Sequence, residues 1–267
     1  MQFLKKDKMK GIKMKVEPNY GDTNLISFTQ NALEILIYTK SGRLNAGTTL
    51  SEIMGWPEEK KMEHLGYMLD TIKSSFEFVD YIFEVRNVSR AFTHQVVRTR
   101  PNSYQQQSQR TVDARDFGYL KETDHPLYER AFEISLEAYS KMIDDGVPIQ
   151  VARNILGTGI HTEIFVKGNL RSFSDMAKLR LCKRTQGEYQ EIFKKMVAQI
   201  LTVHPWAKPL LEVYCVTHGI CAFPRYKKCP VQKYCFDPKL IQPEIRNAWE
   251  KTRHVANPRV NKDGMTM

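Results

Sequence analysis

The chain has 267 residues, a formal net charge of +10, 42% hydrophobic residues and 26% charged residues. This composition excludes a disordered, collagen-like or low-complexity protein and is sufficient for one large domain with a buried core. No stretch approaches about 18 consecutive apolar residues and the Lys-rich start lacks an apolar signal-peptide core, so we expect a cytoplasmic protein without a membrane partner.

The excess positive charge lies at the two ends of the chain. Residues 1–15 sum to +5 and residues 225–267 to +6, which leaves −1 for the residues between them. A nearly neutral body argues against a broad nucleic-acid-binding face, which a charge of +10 would otherwise indicate. The charge pattern indicates a basic N-terminal tail at 1–20, a main domain at 21–205 and a basic, Cys-containing extension at 206–267.

The first third of the chain predicts strands that alternate with helices. LISFT (25–29) indicates a short buried strand, and Asn31 can cap a helix that ends at Gly42. FEFVDYIFEV (76–85) predicts a second strand because its apolar residues alternate in part. Ser89 then caps a helix with the sequence SRAFTHQVVR.

The following residues add three helices and one strand. The polar segment 99–113 predicts a loop or an irregular extended segment, and a long helix at 127–145 follows it. GIHTEIFVKG (159–168) has strand character, a helix starts at Asn169 or Ser172, and 186–204 is a strongly amphipathic helix. Because strands are few and separated by helices, the predicted fold class is α/β or α+β with helices dominant.

One stretch, between Glu84 and Asp113, is rich in arginine and contains no carboxylate. Its arginines are Arg86, Arg90, Arg98, Arg100 and Arg110. Guanidinium groups bind phosphate bidentately, and glutamine amides offer a donor and an acceptor to a base edge, so the stretch is a candidate nucleotide site. The alternative is a solvated polar loop whose arginines cap helix ends.

A second polar run occurs later in the chain. It comprises Arg153, Thr162, Glu163, Asn169, Arg171, Asp175, Arg180, Arg184, Gln186 and Glu188. Arg180 and Arg184 are four residues apart and so share a face if the helix continues through both. Arg171 and Asp175 have the spacing of an i,i+4 ion pair. Taken alone, these residues favour the interpretation as ordinary surface ion pairs.

Together the two runs resemble the flavin-dependent thymidylate synthase family. The family signature is RHRxxSxNxxSxR, and residues 98–110 read RTRPNSYQQQSQR, which matches both flanking arginines, both serines and the final arginine. The later run resembles the family's segments AR, TE, NLRS, LR and QxE in order and spacing. These segments are Ala152–Arg153, Thr162–Glu163, Asn169–Ser172, Leu179–Arg180 and Gln186 with Glu188. The likeness covers residues 25–200.

The resemblance implies a flavin-dependent thymidylate synthase-like fold, with a small sheet, surrounding helices and a homotetramer whose active sites are shared between subunits. It implies that 21–205 is the catalytic domain. It also implies binding of FAD, dUMP and methylenetetrahydrofolate. In such enzymes reduced flavin, renewed by NADPH, supplies hydride while the folate carbon passes to C5 of the uracil ring, which yields dTMP without a cysteine nucleophile.

The resemblance also implies roles for individual residues. Arg180 would be the catalytic residue, facing the pyrimidine edge and stabilising negative charge as the ring is activated. The implied dUMP-binding residues are Gln95, Arg98, Gln106, Gln107, Ser108, Gln109, Arg110, Arg153 and Arg180. The implied FAD-binding residues are Ser75, Arg98, Thr99, Arg100, Ser103, Gln105, Asn169, Arg171, Asp175 and Arg184.

The chain departs from the family pattern near these positions. Thr99 replaces the signature His, Gln105 replaces its Asn, Gln106 stands where an acidic residue is frequent, and Gln109 stands where Gly is usual. Phe78 follows Glu77 where the family often has His. These changes leave open a related enzyme that acts on another pyrimidine nucleotide or leaves a hydroxymethyl group. A nucleic-acid-binding protein is the alternative from a different class.

The C-terminal cysteines have the spacing C-x5-C-x7-C-x5-C. They are Cys215, Cys221, Cys229 and Cys235. Four thiolates could bind zinc or an iron–sulfur cluster, but no pair has the C-x2-C spacing of common metal sites. We therefore expect reduced cysteines in a small appended subdomain and no metal. Cys182 is expected to be a buried neutral thiol.

Overall fold

A four-stranded antiparallel sheet lies at the centre of the structure, a computed structural model that describes residues 20–71, 73–226 and 228–232. The strands are β1 (Asp22–Phe28), β2 (Asp80–Ser89), β3 (Ser103–Gln106) and β4 (His161–Asn169), in the order β1-β2-β4-β3. Because every pairing is antiparallel, the fold class is α+β.

Helices surround this sheet. Within the described ranges they are α1 (Ala32–Arg43), α2 (Leu50–Met54), α3 (Glu58–Leu69), α4 (Arg90–Val96), α5 (Pro126–Asp144), α6 (Ile149–Ala152), α7 (Leu170–Arg180), α8 (Gly187–Val203) and α9 (Tyr214–His218). Short 3-10 helices occupy Lys73–Phe78, Arg153–Ile155 and Pro205–Leu210. In these ranges no helix combines the length and apolar character needed to cross a membrane.

The main core forms between the sheet and α7 with α8. Alternate residues of β2, including Tyr81 and Phe83, are buried and contact Phe173 of α7 edge-on or tilted. Phe173 stacks in turn on Phe193 of α8. Burial of these aromatic side chains is the main source of stability here and fixes α7 and α8 against the sheet.

A smaller core lies beside α5. Ala114, Tyr139, Ala152 and Ile160 are buried together, and the Tyr139 hydroxyl accepts a hydrogen bond from the Ala114 N–H. Tyr139 is the buried residue of α5, whose other apolar side chains remain at least partly exposed. This arrangement leaves an apolar face of α5 on the surface of the chain.

Several predicted elements are confirmed with shifted boundaries. The first strand exists, but it is an edge strand with exposed or half-buried residues and not the buried strand expected. Asn31 does precede α1, yet it adopts a left-handed conformation and makes no side-chain cap. The second strand begins at Asp80 because the residues before it form a 3-10 helix. Ser89 caps α4 as predicted, since its Oγ accepts from the Phe92 N–H.

The polar segment 99–113 contains a strand that the sequence did not predict. Ser103 to Gln106 pair with Ile164 to Lys167 of β4 and form the second edge of the sheet. Strand pairing satisfies the backbone groups of this segment although its side chains lack a continuous apolar pattern. The arginine-rich segment is thus part of the sheet through β3.

The buried His204 makes stability depend on pH. Its Nδ1 lies 2.9 Å from the Tyr81 hydroxyl, and burial lowers the pKa of His204 from the ordinary value of 6.5. The folded chain therefore holds His204 neutral while the unfolded chain takes up a proton near pH 6.5, so the unfolded state binds more protons as the pH falls. The free energy of unfolding should fall from pH 8 to pH 5. Denaturant unfolding at both pH values should show a smaller fall for His204→Gln, and an unchanged fall would contradict this assignment.

Candidate functional site

Asn102 anchors the arginine-rich segment to the sheet and to α7. Its side chain is buried, its Oδ1 accepts a hydrogen bond from Ser172 Oγ at 2.5 Å, and its Nδ2 lies 3.4 Å from Met176 Sδ. The amide occupies the space above Gly168, where a Cβ atom would lie 2.4 Å from Asn102 Oδ1. The absence of a side chain at Gly168 therefore allows the segment to approach β4 closely.

Tyr104 closes the turn that carries the signature arginines. Its hydroxyl donates to the Val96 carbonyl oxygen at 2.7 Å and lies 3.0 Å from that of Thr99. Burial raises the pKa of Tyr104 to about 12. The end of α4 is thereby joined to β3, and Arg98 and Arg100 stand exposed on the turn between them.

Glu188 connects α8 to the start of α4. Its side chain is fully buried, with Oε1 accepting from the Ser89 N–H at 2.7 Å and Oε2 from Ser89 Oγ at 2.5 Å. Burial raises the pKa of Glu188, while the two hydrogen bonds from Ser89 act in the opposite direction. Since Ser89 also caps α4, this buried carboxylate orients the helix that leads to Arg98.

The two polar runs of the sequence meet between α4 and α8. Gln95 Nε2 donates to Gln186 Oε1 at the start of α8. The Arg180 guanidinium, at the end of α7, lies 4.7 Å from the centre of the ring of Tyr189, which is on α8. At this distance a guanidinium is attracted to an aromatic ring. The structure therefore brings Gln95 of the first run together with Arg180 and Gln186 of the second.

Three signature arginines present charge to the surface. Arg98, Arg100 and Arg110 are exposed. The arginine–carboxylate pairs within the described ranges are made by other residues, namely Arg86, Arg115, Arg130 and Arg171. Exposed guanidinium groups without such a partner are the donors that phosphate and pyrophosphate groups require.

Arg90 is a candidate residue that sequence reasoning missed. The pKa of Arg90 is lowered, first by burial and then by the neighbouring charge of Arg153. Both residues are half-buried, and two guanidinium groups whose charges repel each other favour a nearby anion. The sequence contained the residue within the arginine-rich stretch, but its spacing gave no reason to pair it with Arg153.

Two expectations about the later run are wrong in the described structure. Arg171 does not pair with Asp175, because its guanidinium lies 2.5 Å from Glu77 Oε1 and Asp175 instead pairs with Lys178 at 2.6 Å. Arg184 does not share a helix face with Arg180, because α7 ends at Arg180. Its guanidinium lies 4.5 Å from the centre of the Phe223 ring.

The remaining candidate residues have varied environments. Gln106 Nε2 donates to Thr93 Oγ1, the Gln107 N–H donates to the Glu163 carbonyl, and Asn169 caps α7 through Oδ1. Ser103, Gln105 and Ser108 are exposed, Thr99 and Gln109 are half-buried, and Ser75 is buried. The Arg110 N–H donates to Ser108 Oγ. These positions are spread over the 3-10 helix before β2, the turn after α4, β3, the segment that follows β3, and the junction of β4 with α7.

The cysteines follow a different grouping from the one the sequence spacing indicated. Cys182, Cys215, Cys221 and Cys229 line one small cavity, whereas Cys235 lies outside the described residues. Burial raises the pKa of Cys182, as expected for a neutral thiol. As they are placed in the described ranges, no three His, Cys, Asp or Glu side chains form a set that could hold a metal ion.

Comparisons with known proteins give a consistent result. The family model described as thymidylate synthase complementing protein matches residues 24–206, more than half of the chain. A flavin-dependent thymidylate synthase of Sulfurisphaera tokodaii is 30% identical over 205 residues, which cover 74% of this chain and 80% of the relative. The enzyme of Saccharolobus solfataricus is 30% identical over 202 residues, covering 73% and 78%. That of Pyrococcus furiosus is 35% identical over 175 residues, covering 59% and 69%.

The close approach at Gly168 predicts a stability change. Gly168→Ala should lower the free energy of unfolding by about 1–3 kcal/mol, because the new methyl group displaces the buried Asn102 amide. Gly66→Ala is the matched control, since Gly66 lies within α3 and its new methyl group would meet open space, and this change should stabilise by up to about 1 kcal/mol. Denaturant unfolding of both variants measures the difference, and equal effects would argue against the Asn102 anchor.

Proposed function

Because the chain belongs to the flavin-dependent thymidylate synthase family, we propose that its substrate is dUMP and that it produces dTMP, with methylenetetrahydrofolate as carbon donor and NADPH as reductant. It is a flavin-dependent enzyme, and we take the flavin to be FAD. The observation that carries the proposal is the contact between the two polar runs, in which Gln95 donates a hydrogen bond to Gln186.

The residues present fit the charges of these ligands. Both dUMP and FAD carry phosphate groups, and the site offers three exposed arginines together with the like-charged Arg90 and Arg153 pair. Within the described ranges, the arginine ion pairs with carboxylates involve other residues. An anion placed here would gain charge-assisted hydrogen bonds without breaking an existing ion pair of Arg98, Arg100 or Arg110.

We assign the nucleotide to the side of the site that faces α4 and the segment after β3. Gln95, Arg98 and Arg110 lie on these elements with the other members of the implied dUMP-binding set: Gln106, Gln107, Ser108 and Gln109. Arg153 would contribute from a neighbouring subunit, as the family resemblance implies, and Arg90 of that same neighbouring subunit would accompany it, because the two charges interact within one chain. Arginine and serine would bind the phosphate while glutamine amides contact the base.

The flavin would bind next to the turn that carries Arg98, Thr99 and Arg100. When bound, reduced flavin supplies the hydride of the reaction. The other proposed contacts are Ser75, Ser103, Gln105, Asn169, Arg171, Asp175 and Arg184. Arg171 and Asp175 make partly exposed ion pairs in the chain alone. Such pairs contribute little stability, so exchanging them for a ligand would cost little free energy.

Arg180 is the residue we assign to catalysis. Its guanidinium is held beside the Tyr189 ring at the end of α7, a helix fixed by the aromatic core. A cation held in advance can stabilise negative charge that develops on the pyrimidine ring without reorganising during the reaction. Arg180 would therefore lower the energy of the activated pyrimidine and not merely increase the affinity of the enzyme for the nucleotide.

We also propose a homotetramer with shared active sites. The supporting observation is the surface of α5, where Leu127 is 69% exposed and Ile134 is 50% exposed. An apolar helix face of this kind is typical of a surface that another subunit covers. A tetramer would explain how Arg153, which follows α5 and α6, reaches a nucleotide held by another chain.

Substitution of Arg180 tests the catalytic assignment. Arg180→Ala should reduce kcat by at least about a hundredfold, because one preorganised group that stabilises charge is worth a factor of that order. Arg43→Ala, at the exposed end of α1, is the control and should retain wild-type kcat. A folded Arg180→Ala enzyme with unchanged kcat would exclude the proposed role.

A single incubation tests the reaction. The purified chain should be yellow or take up FAD, and with dUMP, methylenetetrahydrofolate and NADPH it should yield a nucleotide heavier by one CH2 group. A parallel incubation with dCMP tests the departures at Thr99, Gln105 and Gln106, and a gain of CH2O would indicate a hydroxymethyl product. A colourless protein that binds no FAD and instead retains nucleic acid would overturn the proposed function.

A further inference from the structure

Four cysteines that are distant in sequence surround one cavity in the described structure. Cys182 follows the end of α7, while Cys215, Cys221 and Cys229 belong to the C-terminal extension. The cavity measures about 20 Å³, which is enough for one water molecule or a single ion. No role in the proposed reaction accounts for this convergence of sulfur atoms.

The backbone around three of these cysteines is arranged to hold sulfur atoms that carry negative charge. The Phe223 N–H donates to Cys221 Sγ at 3.3 Å. Backbone N–H groups of Val231 and Gln232 donate to Cys229, and that of Arg184 donates to Cys182. In all three cases a donor lies two residues after the cysteine. Repetition of this turn in three separate places indicates a built site, since N–H donors favour a thiolate over a thiol.

Positive side chains lie at the same cavity. Lys183 is only 6% exposed and lines the cavity. Lys178 lines the cavity as well. Thiolates in this cavity would place negative charge next to these two ammonium groups.

We propose that Cys182, Cys221 and Cys229 are ligands of a structural zinc ion, with Cys215 as the fourth sulfur in reach. Zinc prefers thiolate ligands in a closed tetrahedral set, and the dianionic charge of such a set balances the adjacent lysines. The cavity is about the size of one ion. This inference does not depend on the proposed function.

Zinc would draw the sulfurs into a tighter arrangement than the one described. As placed, the described side chains do not form a metal-coordinating set, so binding requires the thiols to turn toward the cavity. Binding would join the end of α7 to the C-terminal extension, and the binding free energy would add to the stability of that junction.

Metal analysis of the untagged, full-length chain tests the proposal. We expect about one zinc per chain in wild-type protein, and less than about one tenth of that in Cys221→Ser and Cys229→Ser. His218→Ala is the control variant. Histidine is a common metal ligand, but His218 is exposed, stacks on Tyr214 and does not line the cavity. It should retain full zinc content.

Cobalt substitution keeps the test informative if a serine variant folds poorly. After removal of zinc by a chelator, wild-type protein and His218→Ala should take up Co²⁺ with thiolate-to-cobalt absorption bands, and Cys182→Ser should bind it at least about tenfold more weakly. Wild-type protein without stoichiometric zinc, or cysteine variants that retain it, would overturn the proposal. Iron with acid-labile sulfide in place of zinc would also overturn it.

Discussion

The site depends on one close contact, the seating of the Asn102 amide against the bare backbone of Gly168. The contact holds the arginine-rich segment against β4, and the Ser172 hydroxyl fixes the same amide from α7. Without this close approach β3 could not pair along β4 and still leave Arg98 and Arg100 on the preceding turn. The buried Asn102 amide thus determines the positions of the exposed Arg98 and Arg100, because its hydrogen bonds can be satisfied only in one position.

Helix α8 relates this segment to the rest of the site. Glu188 orients α4 through Ser89, Gln186 accepts a hydrogen bond from Gln95, and the Tyr189 ring contacts the Arg180 guanidinium. These three contacts are made by Gln186, Glu188 and Tyr189, about one turn at the start of α8, and Phe193 further along the same face packs against Phe173 in the aromatic core. The packing of α8 therefore helps to position Gln95 and Arg180, whereas Arg98 and Arg110 lie on the turn before β3 and the segment after it.

Local signals in the sequence predicted most elements but not the contacts between them. Ser89 and Asn169 could be predicted as caps because the capping hydrogen bond involves only residues a few positions away. The strand β3 could not be predicted, since its polar side chains are stabilised by pairing with β4, about sixty residues away. The same limit applies to Arg90: its proximity to Arg153 arises from tertiary structure. Family resemblance supplied the residue roles, which periodicity alone could not.

The neighbouring charges of Arg90 and Arg153 affect which buffer suits measurements on this protein. Their mutual repulsion is a cost that any small doubly charged anion relieves, whether or not it carries a base. Inorganic phosphate and sulfate are therefore expected to compete with a nucleotide there. Phosphate or sulfate in the buffer would raise the apparent KM for the nucleotide. A buffer of low ionic strength without these anions would give the intrinsic affinity for the nucleotide.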